Sequence, residues 1–326
     1  MTTATTIAPE REESRGEDAR PAWLDDPDPA QRQLALIALE EADNLALAPL
    51  LAAASDPDPT VRRLAIGLLE DLGDGRAAPV LVAALEDPEP AVRDVAATAL
   101  RELRDDDTTR ALLAAVSSPV AAVRSAAIVA IRDRRDPRAA VPLATALEDP
   151  DSGVRREAVV SLAYLQQPAT LGALRARLGD ADASVRRLAV GALDLFAAER
   201  GTELLPELTG ALRDDDWRVR VEAAIVLGRS RADAATAALV HAAGDPAWQV
   251  RKEVVASLGR ARATTAGATL IERLGDPVAD VRRAAAGALG ELRFRSAGDP
   301  LRALLSDDDA EVRKAAARAL SVIEGS

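Results

Sequence analysis

His241 is the chain's one histidine, and it stands in DAATAALVHAAGDP without a second histidine or a carboxylate at helical spacing. A metal site or a general base needs such a second group, so neither is expected there. Cysteine is absent, which removes thiolate clusters, disulfides and a cysteine nucleophile, and no serine sits in a Gly-x-Ser-x-Gly elbow. Acidic runs at Asp105-Asp106-Asp107, Asp214-Asp215-Asp216 and Asp307-Asp308-Asp309 carry the charge to hold a cation. Each precedes an apolar-periodic stretch, however, where carboxylates cap helix N-termini. Gly228, Gly259 and Gly290 recur without forming a phosphate-binding loop. No catalytic residue, metal site or cofactor is therefore expected. What remains is recognition chemistry: Trp217 and Trp248 stand 31 residues apart in a chain with three Trp, one Tyr and two Phe.

The elements that hold those residues follow from a repeat. Val-Arg pairs begin at 61, 92, 123, 154, 185, 219, 250, 281 and 312, with Gln31-Arg32 as a degenerate first copy. The spacing is 31 except for 30 at the front and 34 between 185 and 219. A fixed period of this length marks stacked supersecondary units. Each period holds two helical patterns separated by Asp-Pro or Asp-Asp, giving ten second helices and nine first helices. Strand patterns are missing. The 34-residue spacing is expected to lengthen a loop or alter local curvature.

Composition agrees with a thin, repetitive core. The 326 residues are 48% apolar, only 2% aromatic, and dominated by alanine among the apolar types. The net charge of −12 argues against nucleic acid and anionic membrane as partners. Residues 1–20 have no apolar run and carry acidic residues, so they read as a disordered tail and not as a leader. No stretch is long and apolar enough to span a membrane, and a cytoplasmic protein is expected.

On a helical wheel counted from the Val of Val-Arg, offset +4 is Ala in nine of ten copies and offset +8 is Leu in nine. These positions define a core arc from about −20° to about 140°. The Arg at +1 falls inside it, at about 100°. A guanidinium there needs a partner, since an unpaired buried charge costs several kcal/mol. Six residues before each Arg stands an Asp, with Ser118 the one departure, and this in-copy Asp is the expected counter-charge.

The 31-residue unit with Asp-Pro, Val-Arg, Ala at +4 and Leu at +8 resembles the HEAT repeat, in the short form named after phycobilin lyase subunits. The resemblance covers roughly residues 22–326. It implies an all-α, right-handed α-solenoid of about ten HEAT-like repeats, one array from 21 to 326, with an Asp–Arg ladder along it. It also implies a range of functions: protein-binding scaffolds, bilin-attaching subunits and a di-iron hydroxylase that uses paired His-Glu motifs. His241 is followed by Ala242, so the hydroxylase chemistry does not transfer.

Function then falls to the arc that the core does not need. Offsets +2, +3, +6 and +10 form a stripe that lines the concave side of such a solenoid. In copies five to eight this stripe and its edge present Arg156, Glu157, Val160 and Tyr164, then Arg187, Leu188 and Leu195, then Trp217, Val221, Glu222, Ile225 and Arg229, then Trp248, Lys252, Glu253 and Arg260. Gly191 leaves room in the middle. The tryptophans read either as hydrophobic staples over their helix starts or as anchors of a binding surface. The expectation is a non-enzymatic scaffold that binds a protein or peptide on this face. The alternative is a cofactor-handling or chromophore-attachment partner resembling bilin lyase subunits.

Overall fold

The computed structural model describes residues 21–41, 45–230 and 232–325, with the side chains at 197–202 also left undescribed. The tail at 1–20 lies outside the described residues. Within them, all regular structure is helical. The α-helices in chain order are α1 (Pro29–Glu41), α2 (Leu47–Ala53), α3 (Pro59–Leu72), α4 (Ala78–Ala84), α5 (Pro90–Glu102), α6 (Asp106–Ala115), α7 (Ala121–Arg132), α8 (Ala140–Ala146) and α9 (Ser152–Leu165). They continue as α10 (Leu171–Ala176), α11 (Ala183–Ala211), α12 (Trp217–Leu227), α13 (Asp233–Ala242), α14 (Trp248–Arg260), α15 (Gly267–Arg273), α16 (Ala279–Glu291), α17 (Gly298–Ala303) and α18 (Ala310–Glu324). This alternation of short first helices and longer second helices is the α-solenoid architecture.

The chain divides into two compact units, residues 1–142 and 143–326. In the first, α1, α3, α5 and α7 are the second helices; in the other, that role falls to α9, the start of α11, α12, α14, α16 and α18. The core in both is the predicted arc. Val61, Ala65 and Leu69 of α3 are fully buried, as are Val250, Val254 and Leu258 of α14. At roughly 25 cal/mol per Å² of apolar surface, the buried Val and Leu side chains contribute about 1.5–3 kcal/mol each.

The 34-residue spacing does not open a loop. A single 29-residue helix, α11, runs through it and carries Pro206 in its interior. The sequence explains the difference. Other connections between second and first helices break the helix with residues such as Gly73-Asp74-Gly75 or Asp136-Pro137, whereas Ala197-Ala198-Glu199-Arg200 are helix formers and Gly201 stands alone.

The loop carboxylates divide their labour two residues apart. Asp58, Asp151, Asp182, Asp216 and Asp309 accept backbone N–H bonds as N-caps. Two positions before Asp58, Asp182, Asp216 and Asp309, the loop Asp takes an arginine, but not the one expected. Arg62 donates through Nε and Nη2 to both oxygens of Asp87, 2.7 and 2.8 Å away, in the following copy. Its own copy's Asp56 supplies only a backbone carbonyl, 2.8 Å from Nη1. Arg32–Asp56, Arg155–Asp180, Arg220–Asp245, Arg251–Asp276 and Arg282–Asp307 repeat this geometry. Arg186–Asp214 keeps it across the insertion. The in-copy pairing is therefore corrected: a guanidinium at +1 projects along the array, so its fork meets the next loop and ties successive repeats together.

The correction also moves the gap left by Ser118. The arginine deprived of a carboxylate is Arg93, not Arg124. Among the described residues, Arg93 donates only to the carbonyls of Asp87 and Pro88. Ser118 keeps the loop-forming part of the Asp role, accepting the N–H of Val120 at 3.2 Å.

Candidate functional site

The predicted face lies wholly within the second unit, on α9, α11, α12 and α14. Its apolar members are unequally covered. Tyr164 is 49% exposed, Leu195 47% and Trp248 37%. Val160, Leu188, Val221 and Ile225 are half-buried between them and the core. Offset +10 leads away from the core arc, which is why Tyr164 on α9 and Leu195 on α11 stand out at the same position of successive repeats.

The two tryptophans differ. Trp217 is half-buried, with the Arg218 guanidinium 4.9 Å from its ring centre. Trp248 is exposed, with Lys252 Nζ at 6.0 Å. Each occupies the first helical residue, after N-caps Asp216 and Ala247. A hydrophobic staple uses the residue before the N-cap, so neither ring is one.

The charged members are largely paired with one another. Arg187 Nη1 lies 3.6 Å from Glu222 Oε2, Arg260 donates to Glu253 at 2.5 Å, and Arg229 pairs with Asp194. Arg156 is exposed and Glu157 half-buried. Gly191 does not leave open space. Glu222 lies over it, so that a Cβ added there would stand 3.2 Å from Oε1. Burial pushes the Glu222 carboxyl above the usual range; Arg187 lowers it and Glu253 raises it further. Among the described residues no group of three or more His, Cys, Asp or Glu could hold a metal.

The same stripe also carries a feature that sequence reading missed. A groove of about 380 Å³ runs between α16 and α18, with Gly287, Gly290, Ala315 and Ala319 as its floor. Arg283, Lys314, Arg318, Glu291 and Glu311 form its rim, and Val322, 43% exposed, lies at its end. The signal was present as small residues facing one another across two copies, which a search for large side chains passes over.

Small residues also set the helix spacing. A Cβ on Gly228 would lie 2.6 Å from that of Ser257; one on Gly259 would lie 3.0 Å from Cα of Ala288, and one on Gly290 3.1 Å from Cα of Ala319. These recurrent glycines at offset +9 thus bring each second helix close to offset +7 of the next. His241 is exposed on α13, beside a separate groove that includes Thr209, Leu212 and Arg213.

Residues 18–101, 78–163, 141–215, 205–287 and 267–326 each match the model of HEAT repeats. The chain belongs to the HEAT-repeat family. No curated protein matches it. Among solved structures, it is similar to a chain from a structure of Kap95p with RanGDP, at 15% identity and a TM-score of 0.65, over 93% of this chain and 48% of that one. It therefore spans about half the length of that neighbour. An engineered protein aligns at 22% identity and a TM-score of 0.48, over 93% of this chain and 97% of that one. Human deoxyhypusine hydroxylase, solved with glycerol, aligns at 21% identity and a TM-score of 0.36, over 79% of this chain and 99% of that one. At 15% identity the likeness to the Kap95p–RanGDP structure is one of fold. Among the described residues no helix is long and apolar enough to cross a membrane.

Proposed function

We propose that the chain is a protein- or peptide-binding scaffold that works through the concave stripe of copies five to eight. One observation carries this reading: Tyr164, Leu195 and Trp248 are each exposed on a stripe and its edge where Arg187–Glu222, Arg229–Asp194 and Arg260–Glu253 pair most of the charges. Self-paired charges give a partner little reason to bind, whereas exposed aromatic and aliphatic side chains release water when covered. The HEAT-repeat family supports the reading, since stacked repeats supply long surfaces without a deep catalytic cavity. The 31-residue period, with its Asp-Pro and Val-Arg signature, supports the short repeat type named after phycobilin lyase subunits.

The test is capture of partners from the native cell by the parent chain, by Trp248→Ala/Tyr164→Ala and by His241→Ala. The reading predicts proteins that the parent and His241→Ala retain and the double variant loses, with the melting temperature unchanged. Equal capture by all three would end it.

A further inference from the structure

In a chain of net charge −12, the +2 row of the second unit is basic in five of its six copies: Arg156, Arg187, Lys252, Arg283 and Lys314, with Val221 the exception. Arg187 meets a carboxylate across the repeat junction, Glu222 at offset +3 of the following copy. For Lys252 and Arg283 that position holds Ala284 and Ala315. Lys252 then lies 6.0 Å from the Trp248 ring, and Arg283 turns to Asp280 on its own helix, 2.5 Å away in an exposed pair.

The groove between α16 and α18 opens where those carboxylates are missing. Its floor is Gly287, Gly290, Ala315 and Ala319, and the close approach of Gly290 to Ala319 holds the two helices together there. Three cations and two carboxylates line the rim. Of the carboxylates, Glu311 is taken by Lys314 at 2.7 Å and Glu291 leans over Gly259 of α14. Among the described residues Arg318 has no carboxylate within ion-pair distance, and it senses Glu311 only from farther off. The cations stand on both sides of the apolar floor, Arg283 on α16 and Arg318 on α18. A ligand that matches them carries an apolar group with carboxylates on either side of it, which a peptide chain supplies.

We propose that this groove is a docking site for an acidic peptide segment, with an apolar side chain seated on the glycine and alanine floor and flanking carboxylates on Arg283 and Arg318. Charge complementarity selects this partner over nucleic acid, whose backbone would meet the cations but leave the floor uncovered. The site belongs to copies nine and ten, so it stands apart from the surface of copies five to eight.

Fluorescence anisotropy of the full chain with a fluorescein-labelled Glu-Glu-Leu-Leu-Glu-Glu peptide at low salt tests the proposal. So small a contact should bind weakly, with Kd between about 10 µM and 1 mM. Replacing both leucines of the peptide by serine, or its glutamates by lysine, should each weaken binding about fivefold or more. Arg318→Ala and Arg283→Ala should each cost about threefold to tenfold. Gly287→Leu is the sharpest variant: a Cβ there meets nothing within 4 Å, so the side chain fills the groove without disturbing the helices. It should weaken binding about tenfold while melting at or above the parent, since leucine is the better helix former. Tyr164→Ala should bind the peptide like the parent, which separates this site from the one in copies five to eight. No binding at about 1 mM, equal binding of the leucine and serine peptides, full affinity in Gly287→Leu, or tighter binding of a thymidine decanucleotide than of the peptide would each overturn the proposal.

Discussion

Arg251 and Arg93 occupy the same offset and differ in one partner. Arg251 holds both oxygens of Asp276 and two loop carbonyls, whereas Arg93 holds two carbonyls only. Arg251→Ala should lower stability by about 2–4 kcal/mol, because it strands a nearly buried carboxylate; Arg93→Ala should cost about 1 kcal/mol. Ser118→Asp should close the missing rung and raise the melting temperature, since Ser118 already occupies the loop geometry of a ladder Asp. Unchanged stability in Arg251→Ala would remove the strut assignment. The rungs also fix a pH response. Burial alone would raise Asp56, Asp180, Asp214 and Asp276, but arginine and backbone hydrogen bonds with neighbouring charge outweigh it and hold them below the usual range. In Asp87 and Asp307 the arginine bond is the largest influence, in the same direction. Folded values below unfolded ones give stability that is complete above about pH 4 and lost as pH falls through the depressed values. Glu222 has the opposite sign: its contribution is full below about pH 4 and is lost as pH rises through its raised value. Glu222→Gln should therefore melt above the parent at pH 7, with the gap closing toward pH 4; a gap that widens on acidification contradicts the burial argument.

At the scale of the element, the close approach of α12 and α14 is the sharpest case. Alanine is the better helix former by about 1 kcal/mol, yet Gly228→Ala should destabilise by about 1–3 kcal/mol because its Cβ would drive into Ser257. Thermal melting checks this, and a stabilised variant would show that the helices can part at no cost. Helix identity, core arc and loop capping were legible because each depends on one helix or one loop at a time. The direction of the Arg62 fork was not, since a wheel gives the angle of a side chain and not which neighbouring repeat it faces. The course of α11 was missed for a related reason. Excess length reads as a loop when only spacing is counted, and as a helix when the formers at 197–200 are weighed. The glycines were visible as a recurrence, but their purpose appeared only once the facing helix was in place.

At the scale of the molecule, the repeats of the second unit keep one helical pattern, α11 apart, while the side chains on their stripe vary. Arg187–Glu222, Arg229–Asp194 and Arg260–Glu253 pair charges along the stripe, and Tyr164, Leu195 and Trp248 are its exposed large apolar side chains. The sequence pointed to this stripe through the rarity of its aromatics, and treated the two tryptophans alike; their different burial separates them. Trp217, half-buried under Arg218, belongs partly to the packing of α12, so Trp217→Ala should lower the melting temperature. Trp248 is the more exposed of the two. The most direct measurement is the affinity of a captured partner for the parent, Trp248→Ala and His241→Ala, taken with their melting temperatures. A binding surface predicts that Trp248→Ala loses about 2 kcal/mol or more of affinity, some thirtyfold, while melting with the parent and with His241→Ala. Full affinity in Trp248→Ala would contradict it.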